Sequence, residues 1–409
     1  MRGIYDFSVV TTSSVPWFTG TSINTMWRAA TLQRLGYRVA YVVPWISFGD
    51  QGRCFGESRF ASEPVMREWL GEEVFRRTGS RVDIYTYPAR YVAAWGSIMP
   101  FSSPAKSIPP SGVCVLEEPE RLFGTVSDIG GVRAAFTLGI IHTNYRYYLQ
   151  NYGSRVTGPM VTKGWMQGAL AASDALVSLS AAGVDPRFPG AIDILPCNGV
   201  ADQFFECNRI APGGRRQGAV FIGKLIRAKG LESLFAIASR GGFQVDIYGD
   251  GEERELIHSA AQRSGAAVNF LGTTAAPWSV FAQHRVFINP SLSEVLCTTT
   301  AEALAAGCSV VLPRHISNEY FESFPNAYFY ESVAEAARLV IDLLNRDPDP
   351  AEMETLRWEN RTLALIGYCE SRAAGAVAKR RKNVISGRCV RVAVGAMARR
   401  AYRADARGL

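Results

Sequence analysis

The run VFINPSLSEVLCTTTAEALAAGCSVV, Val286 to Val311, constrains the fold more than any other stretch of the chain. Val286 to Ile288 reads as a short apolar strand, Asn289 to Cys297 as an irregular polar segment, and a helix rich in Ala and Leu is predicted from about Thr299. Gly307 ends that helix, and Ser309 to Leu312 is predicted as the next buried strand. Units of strand, loop, helix and strand build parallel sheets covered by helices. Two acids stand in this one, Glu294 in the loop and Glu302 on the first turn of the helix. In open α/β sheets, ligands bind beyond the carboxyl ends of strands, where both acids would sit. Thr299 and Glu302 also match a capping box, which would turn Glu302 back onto its own helix. Glu294 alone is equally compatible with a solvated loop acid.

The same alternation runs through the rest of the chain. Phe7 to Thr12 is predicted as a strand, followed by a turn containing Gly20, a helix from Ile23 to Leu35 and a strand from Arg38 to Val43. A glycine at that helix start leaves unpaired N–H groups able to hold a phosphate, though a packing turn reads the same way. Neither the dinucleotide-binding glycine motif nor the P-loop motif is present. Residues 50–112 read as irregular, with one helix from Pro64 to Thr78. Strands are expected at Val113–Leu116, ending in Glu117-Glu-Pro-Glu120, and at Thr137–Ile141, ending in His142. A histidine just past a strand end is expected to face a cleft rather than the core, in a functional or a simple loop-capping role.

Pro196 to Val200 is a turn cluster, and Asp202 to Gly218 reads as a linker. Beyond it the βα alternation restarts with Ala219–Ile222. Lys224 and Lys229 flank the loop after that strand and are expected to point toward Glu294 and Glu302. Compact ammonium groups there suit a diphosphate, although lysines in a loop, taken alone, are ordinarily just solvated. Gly249 and Gly251 would let the backbone approach a ligand, or form a plain turn. Two βα-repeating halves in 409 residues imply a bilobal molecule.

Composition narrows the class. Hydrophobic residues make up 47% and mean hydropathy is near zero, as expected of a folded chain with sizeable cores. No apolar run is long enough to span a bilayer, and the chain enters a strand within a few residues, so no signal or transit peptide is expected. The eight cysteines form no C-x-x-C pair and the four histidines show no ligand spacing, so free thiols and no metal site are expected. The net charge of +7 is uneven: residues 379–409 hold ten basic residues and one acid, which leaves residues 1–378 at −2. Anionic lipid, RNA or plain solvent would each suit such a tail.

Several blocks in order resemble retaining GT-B glycosyltransferases of family 4, and more closely the digalactosyldiacylglycerol synthases. They are VTTSSVPWFTGTSINTMWRAA, VVPWISFGDQ, LEEPE, HTNY, LSAA, GKLIRAKG, YGDGEE, VFINPSLSEVLCTTTAEALAAG and HISNEYFESFPN. The resemblance implies an α/β GT-B fold, two Rossmann-like βαβ domains facing across a cleft. It implies a UDP-galactose donor, a monogalactosyldiacylglycerol acceptor and no metal cofactor. Glu302 would hold the ribose, Glu294 the sugar hydroxyls, and the backbone at Leu296 and Cys297 the sugar and phosphates. Lys224 and Lys229 would hold the diphosphate, Gly20 would admit the β-phosphate, and His142 would lie beside the sugar. Many relatives carry Arg where Lys224 stands, and a counterpart of the long N-terminal extension of some plant forms is not expected here.

The expected domains are 1–200 for the acceptor, 201–365 for the nucleotide sugar, and 366–409 as a final helix with the basic tail. With a lipid acceptor, the tail 379–409 is expected to lie on an anionic membrane surface, with no nucleic-acid partner. The expected location is peripheral, at the cytoplasmic face of a bacterial inner membrane, or at a plastid envelope in a eukaryote. The rival readings are a family 4 enzyme with another nucleotide sugar and a saccharide or other lipid acceptor, and a non-catalytic nucleotide-sugar-binding protein.

Overall fold

A computed structural model describes residues 5–93, 96–124, 131–145, 147, 158–210, 217–346 and 353–380. The chain forms two compact units. One comprises Met1–Leu179, Gly183–Asn198 and Arg361–Leu409; the other comprises Ser180–Ala182 and Gly199–Asn360.

The first unit is built on β1 (Tyr5–Val10), α1 (Gly20–Arg34), β2 (Val39–Trp45), α2 (Phe48–Cys54), α3 (Glu63–Thr78), β3 (Asp83–Val92) and β4 (Ser97–Pro100). It continues through β5 (Ser111–Glu117), α4 (Pro119–Leu122), β6 (Ala134–Ile141), α5 (Gly158–Ala172), β7 (Ala175–Ser178) and β8 (Asp193–Ile194). The strands lie in the order β4-β3-β2-β1-β5-β6-β7-β8. All neighbours are parallel except β3 and β4. Phe7 pairs with Val39 on one side and Val113 on the other. Buried on both faces, such strands read as unbroken apolar runs, and Phe7, Val9 and Val10 are fully enclosed.

The second unit opens with α6 (Asp202–Ile210), β9 (Ala219–Ile222), α7 (Leu231–Gly241), β10 (Val245–Tyr248), α8 (Arg254–Ser264), β11 (Val268–Phe270) and α9 (Pro277–Gln283). It closes with β12 (Val286–Ile288), α10 (Thr298–Ala305), β13 (Ser309–Pro313), β14 (Ala327–Tyr330) and α11 (Val333–Leu344). Its six-stranded sheet runs β11-β10-β9-β12-β13-β14, parallel throughout. Both sheets reverse their winding at a central pair, β1 beside β5 and β9 beside β12. Loops leaving such a switch point are where α/β sheets bind ligands.

Three expectations need correction. Residues 50–112 are not irregular: they carry α2, β3 and β4. The β3 sequence DIYTYPARYV hides its strand because Pro88 and two charged residues interrupt the apolar pattern, while Tyr, Thr and Val favour extension. The stretch after Asp202 is not a linker from its start but α6, which sinks Phe204 and Phe205 into the unit. Phe204 sets its ring edge-on to Trp278, 6.0 Å between centroids. Finally, α12 (Trp358–Arg380) does not stand apart as a terminal segment. From Arg361 it counts with the first unit, where Leu365, Ile366, Cys369 and Ala373 are buried. Its Tyr368 hydroxyl donates to Asp193 at 2.5 Å.

Candidate active site

In the second unit, the loops leaving β9 and β12 are fastened together. Ser291 and Ser293 in the second loop both donate to the Ala228 carbonyl in the first, at 3.4 and 3.0 Å. Gly230 sits in the left-handed region at φ 73°, and a Cβ there would lie 2.6 Å from the Pro290 carbonyl oxygen. Only glycine lets the loops come this close. The result is that the Lys229 ammonium donates to the Glu294 carboxylate, with side chains 21% and 15% exposed. Asn289 braces the second loop by donating to the Thr300 hydroxyl on α10 at 3.0 Å.

Lys224 does not join this pair. It reaches Glu252 at 3.3 Å on the exposed surface, so the two lysines have separate carboxylate partners. Glu302 is the fifth residue of α10, one turn in rather than on the first turn. The helix is capped at Cys297 without a side-chain bond, so the capping box does not form. The Glu302 carboxyl makes no hydrogen bond among the described residues. Burial pushes its pKa up to about 8. Such an acid is left for a hydrogen-bonding guest to satisfy. Leu296 and Cys297 are buried where the chain enters α10. Burial also pushes the Cys297 thiol up to about 11, keeping it protonated.

Gly249 and Gly251 have a local purpose. Gly249 holds φ 144°, and a Cβ on it would fall 1.8 Å from the Gly223 carbonyl oxygen; one on Gly251 would meet Leu225 oxygen at 2.6 Å. The backbone these glycines admit is that of the loop after β9. They shape the Lys229 loop from behind.

In the first unit, the carboxyl ends of β1, β5 and β6 converge on two consecutive acids. Gly20 is the first residue of α1, whose N-terminus is closed by a reciprocal Thr19–Ser22 capping box. No atom lies within 4 Å of a Cβ built on Gly20, so nothing inside the protein demands glycine there. Glu117 ends β5 and is fully buried, receiving Arg28 Nε at 2.5 Å and meeting His142 Nε2 at 2.5 Å. Burial alone would raise the Glu117 pKa, but the Arg28 guanidinium and the His142 ring outweigh it and hold it below the usual range. Arg28 also donates to the Cys197 carbonyl at 2.9 Å and Asn198 Oδ1 at 2.7 Å.

His142 therefore differs from the sequence-based reading. Its side chain is 4% exposed and turned toward Glu117, which places a proton on Nε2. Glu118 is the one non-glycine residue at positive φ, 61°, among the described residues. Its carboxylate accepts from the Thr12, Thr143 and Tyr145 hydroxyls, the last two at 3.1 and 2.8 Å. Strain of this kind persists where surrounding structure over-determines it, commonly at functional sites.

Sequence reasoning missed Arg28, Glu117, Glu118, Gly230 and the two serines. The doubled acid closing an apolar strand was visible, as was an arginine within NTMWRAATL. The side chains of the tail 379–409 lie outside the described residues. Among the described residues, no group of three or more His, Cys, Asp and Glu side chains could hold a metal ion.

Residues 216–346 match the family described as "Glycosyl transferases group 1", a span that contains Lys224, Lys229, Gly249, Gly251, Glu294, Leu296, Cys297 and Glu302. The chain is 32% identical over 394 residues to "Digalactosyldiacylglycerol synthase 1, chloroplastic" of Lotus japonicus, covering 89% of this chain and 49% of that protein. It therefore spans about half the length of that relative. It is 31% identical over 404 residues to "Digalactosyldiacylglycerol synthase 2, chloroplastic" of Arabidopsis thaliana, covering 91% of this chain and 84% of that one. The solved sucrose-phosphate synthase from Thermosynechococcus elongatus shares the fold at TM-score 0.56 and 14% identity, over 92% of this chain and 98% of that one. The fold is GT-B.

Proposed function

We propose that this chain, which belongs to the digalactosyldiacylglycerol synthase family of glycosyltransferases, moves galactose from UDP-galactose to monogalactosyldiacylglycerol to give digalactosyldiacylglycerol. That it is a glycosyltransferase, taking a sugar from a nucleotide donor to an acceptor, follows from the family. The donor, the lipid acceptor and retention of the anomeric configuration are the proposed part.

The observation that carries this reading is the Lys229–Glu294 pair on two fastened loops at the β9/β12 switch point. Paired but partly exposed, both charges are available to a ligand. In the proposed reaction Glu294 receives hydroxyls of the donor sugar, and Glu302 those of the ribose. Lys229, with Lys224 after exchange of its exposed Glu252 partner, meets the diphosphate. The N-terminus of α10 at Leu296 and Cys297 adds backbone donors, so the charge growing on departing UDP is stabilised by fixed groups. Gly20 at the start of α1 admits a phosphate, while His142, turned toward Glu117, orders the ends of β5 and β6 rather than touching the sugar.

Retention follows if the acceptor hydroxyl attacks from the face UDP leaves, through an oxocarbenium-like state. The departing phosphate oxygen takes the acceptor's proton, so no protein base is required. The basic tail 379–409 is assigned to an anionic membrane surface, and the protein to a peripheral position there.

One assay tests the proposal. Purified protein receives UDP-galactose or UDP-glucose, with monogalactosyldiacylglycerol in mixed micelles containing anionic lipid, and the lipid products are resolved. A galactose-dependent diglycosyl lipid is expected. UDP binding with no lipid product from either donor would discard the acceptor and leave a glycosyltransferase with a different one.

A further inference from the structure

At the opposite end of the first unit's sheet, the amino ends of the strands line an open cavity of about 720 Å³. Its walls come from Tyr5 on β1, Arg38 before β2, Asp83 on β3, Arg67 on α3, Lys106 in the segment before β5, and Arg133 before β6. A six-residue strand is roughly 20 Å long. The cavity is thus separated from the β1, β5 and β6 loops that carry Gly20, Glu117 and His142.

Its charge is unbalanced. Besides Arg38, whose backbone N–H is held by the Asp6 carboxylate at 2.8 Å, three cations face one acid, and that acid, Asp83, already accepts the Tyr5 hydroxyl at 2.6 Å. Tyr5 is itself kept neutral, its pKa raised by burial and by Asp83. Arg67, Lys106 and Arg133 form no ion pair among the described residues, while the Arg38 guanidinium lies over the Tyr5 ring at 5.3 Å. An adjoining cavity of about 500 Å³ shares Arg67 and Asp83 but is balanced by Glu68 and Glu72. There Arg81 is bound to Glu72 at 2.8 Å. Arg67, Lys106 and Arg133 around a concavity large enough for a small ligand suit a polyvalent oxyanion, with the arginines offering forked donors to its oxygens.

We infer that the cavity lined by Arg67, Lys106 and Arg133 binds a phosphate-bearing anion, at the end of the first unit's sheet opposite to Gly20, Glu117 and His142. A soluble phosphate ester and the headgroup of an acidic phospholipid present the same chemistry. The inference is independent of the proposed donor and acceptor.

The test uses the full chain, with its basic tail, in three forms: unsubstituted, Lys106→Glu with Arg133→Glu, and Arg81→Glu as a control beside the cavity. Calorimetry with glycerol 3-phosphate is paired with sedimentation on vesicles of phosphatidylglycerol in phosphatidylcholine. Loss of glycerol 3-phosphate affinity by roughly tenfold or more in the double variant, with the control unchanged, establishes the site for soluble esters. The same selective loss on vesicles alone assigns it to a lipid headgroup. Equal behaviour of all three proteins toward both probes overturns the inference. An unchanged melting temperature and near-UV circular dichroism in the double variant show that the first unit, which carries both substitutions, remains folded, and Lys106→Gln with Arg133→Gln serves if charge reversal prevents folding.

Discussion

Glu302 and Glu120 are acids whose surroundings oppose ionisation, and the two should respond to pH in distinguishable ways. Burial pushes Glu302 up to about 8. A ribose hydroxyl donating to its carboxylate would favour the charged form, so binding would release a proton near neutrality. UDP affinity is therefore expected to rise as pH increases from 6 through about 8, and Glu302→Gln should flatten that profile and weaken binding by about 1.5–3 kcal/mol. Calorimetry in buffers of different ionisation enthalpy reads both effects. An unchanged affinity in the variant would leave Glu302 with no role in donor binding.

Glu120 on α4 is 2% exposed, and neither carboxyl oxygen has a hydrogen-bond partner among the described residues. Burial, then the neighbouring Glu118, pushes its pKa up to about 8. Between the unfolded value near 4.3 and that folded value, the folded chain holds more protons than the unfolded one. Its contribution is thus fully present below about pH 4 and is lost as pH rises through 8. Glu120→Gln should match the parent protein near pH 5 and exceed it in stability near pH 9. Denaturant titrations at the two pH values check this, and a constant difference would show that Glu120 is not held neutral.

At the scale of elements, two glycines separate structural need from ligand access. Gly249 holds a backbone that side chains rarely adopt, against the Gly223 carbonyl. Gly249→Ala is expected to cost about 2–4 kcal/mol in denaturant unfolding, through strain and overlap together. Gly20 opens α1 with free space where a Cβ would go. Gly20→Ala should change stability by less than about 1 kcal/mol while lowering UDP-sugar affinity, because the methyl group stands where a phosphate would approach. Binding and stability both unaffected would remove Gly20 from the site. The Gly230 turn works like Gly249: it lets one loop lie against another, and that contact places Lys229 beside Glu294.

For the whole molecule, the return of α12 to the first unit ties the end of the chain to its beginning. Ending the chain at Asn360 would strip away Leu365, Ile366, Cys369 and Ala373, all buried, and the Tyr368 bond to Asp193. Such a protein is expected to lose cooperative unfolding of the first unit. Ending it at Arg380 should leave the melting temperature within about 2 °C and weaken sedimentation with phosphatidylglycerol vesicles, since only the basic tail is removed. Undiminished vesicle binding would withdraw the tail's membrane role.

Most of the strand and helix order, the restart of βα alternation near Ala219 and the family were legible in the linear chain; α2, β3, β4 and α6 were not. They depend on local patterns: apolar runs of strand length, glycines closing helices, and motif blocks in sequence. The strand in DIYTYPARYV was masked because its proline and charges are tolerated by position near a sheet edge, which no local pattern records. The candidate acids and lysines were also visible, but their pairing was not. Lys229 meets Glu294 because the sheet places β12 directly against β9, with β10 and β11 on the other side. Arg28, Glu117 and His142 form one buried cluster because β5 and β6 end beside the middle of α1. Sequence alone settled the repeating βα plan; the strand β3 and the helix α6, which charges meet, and which acids are left without partners were decided by strand order and long-range packing, because a buried charge is stabilised only by groups that folding brings to it.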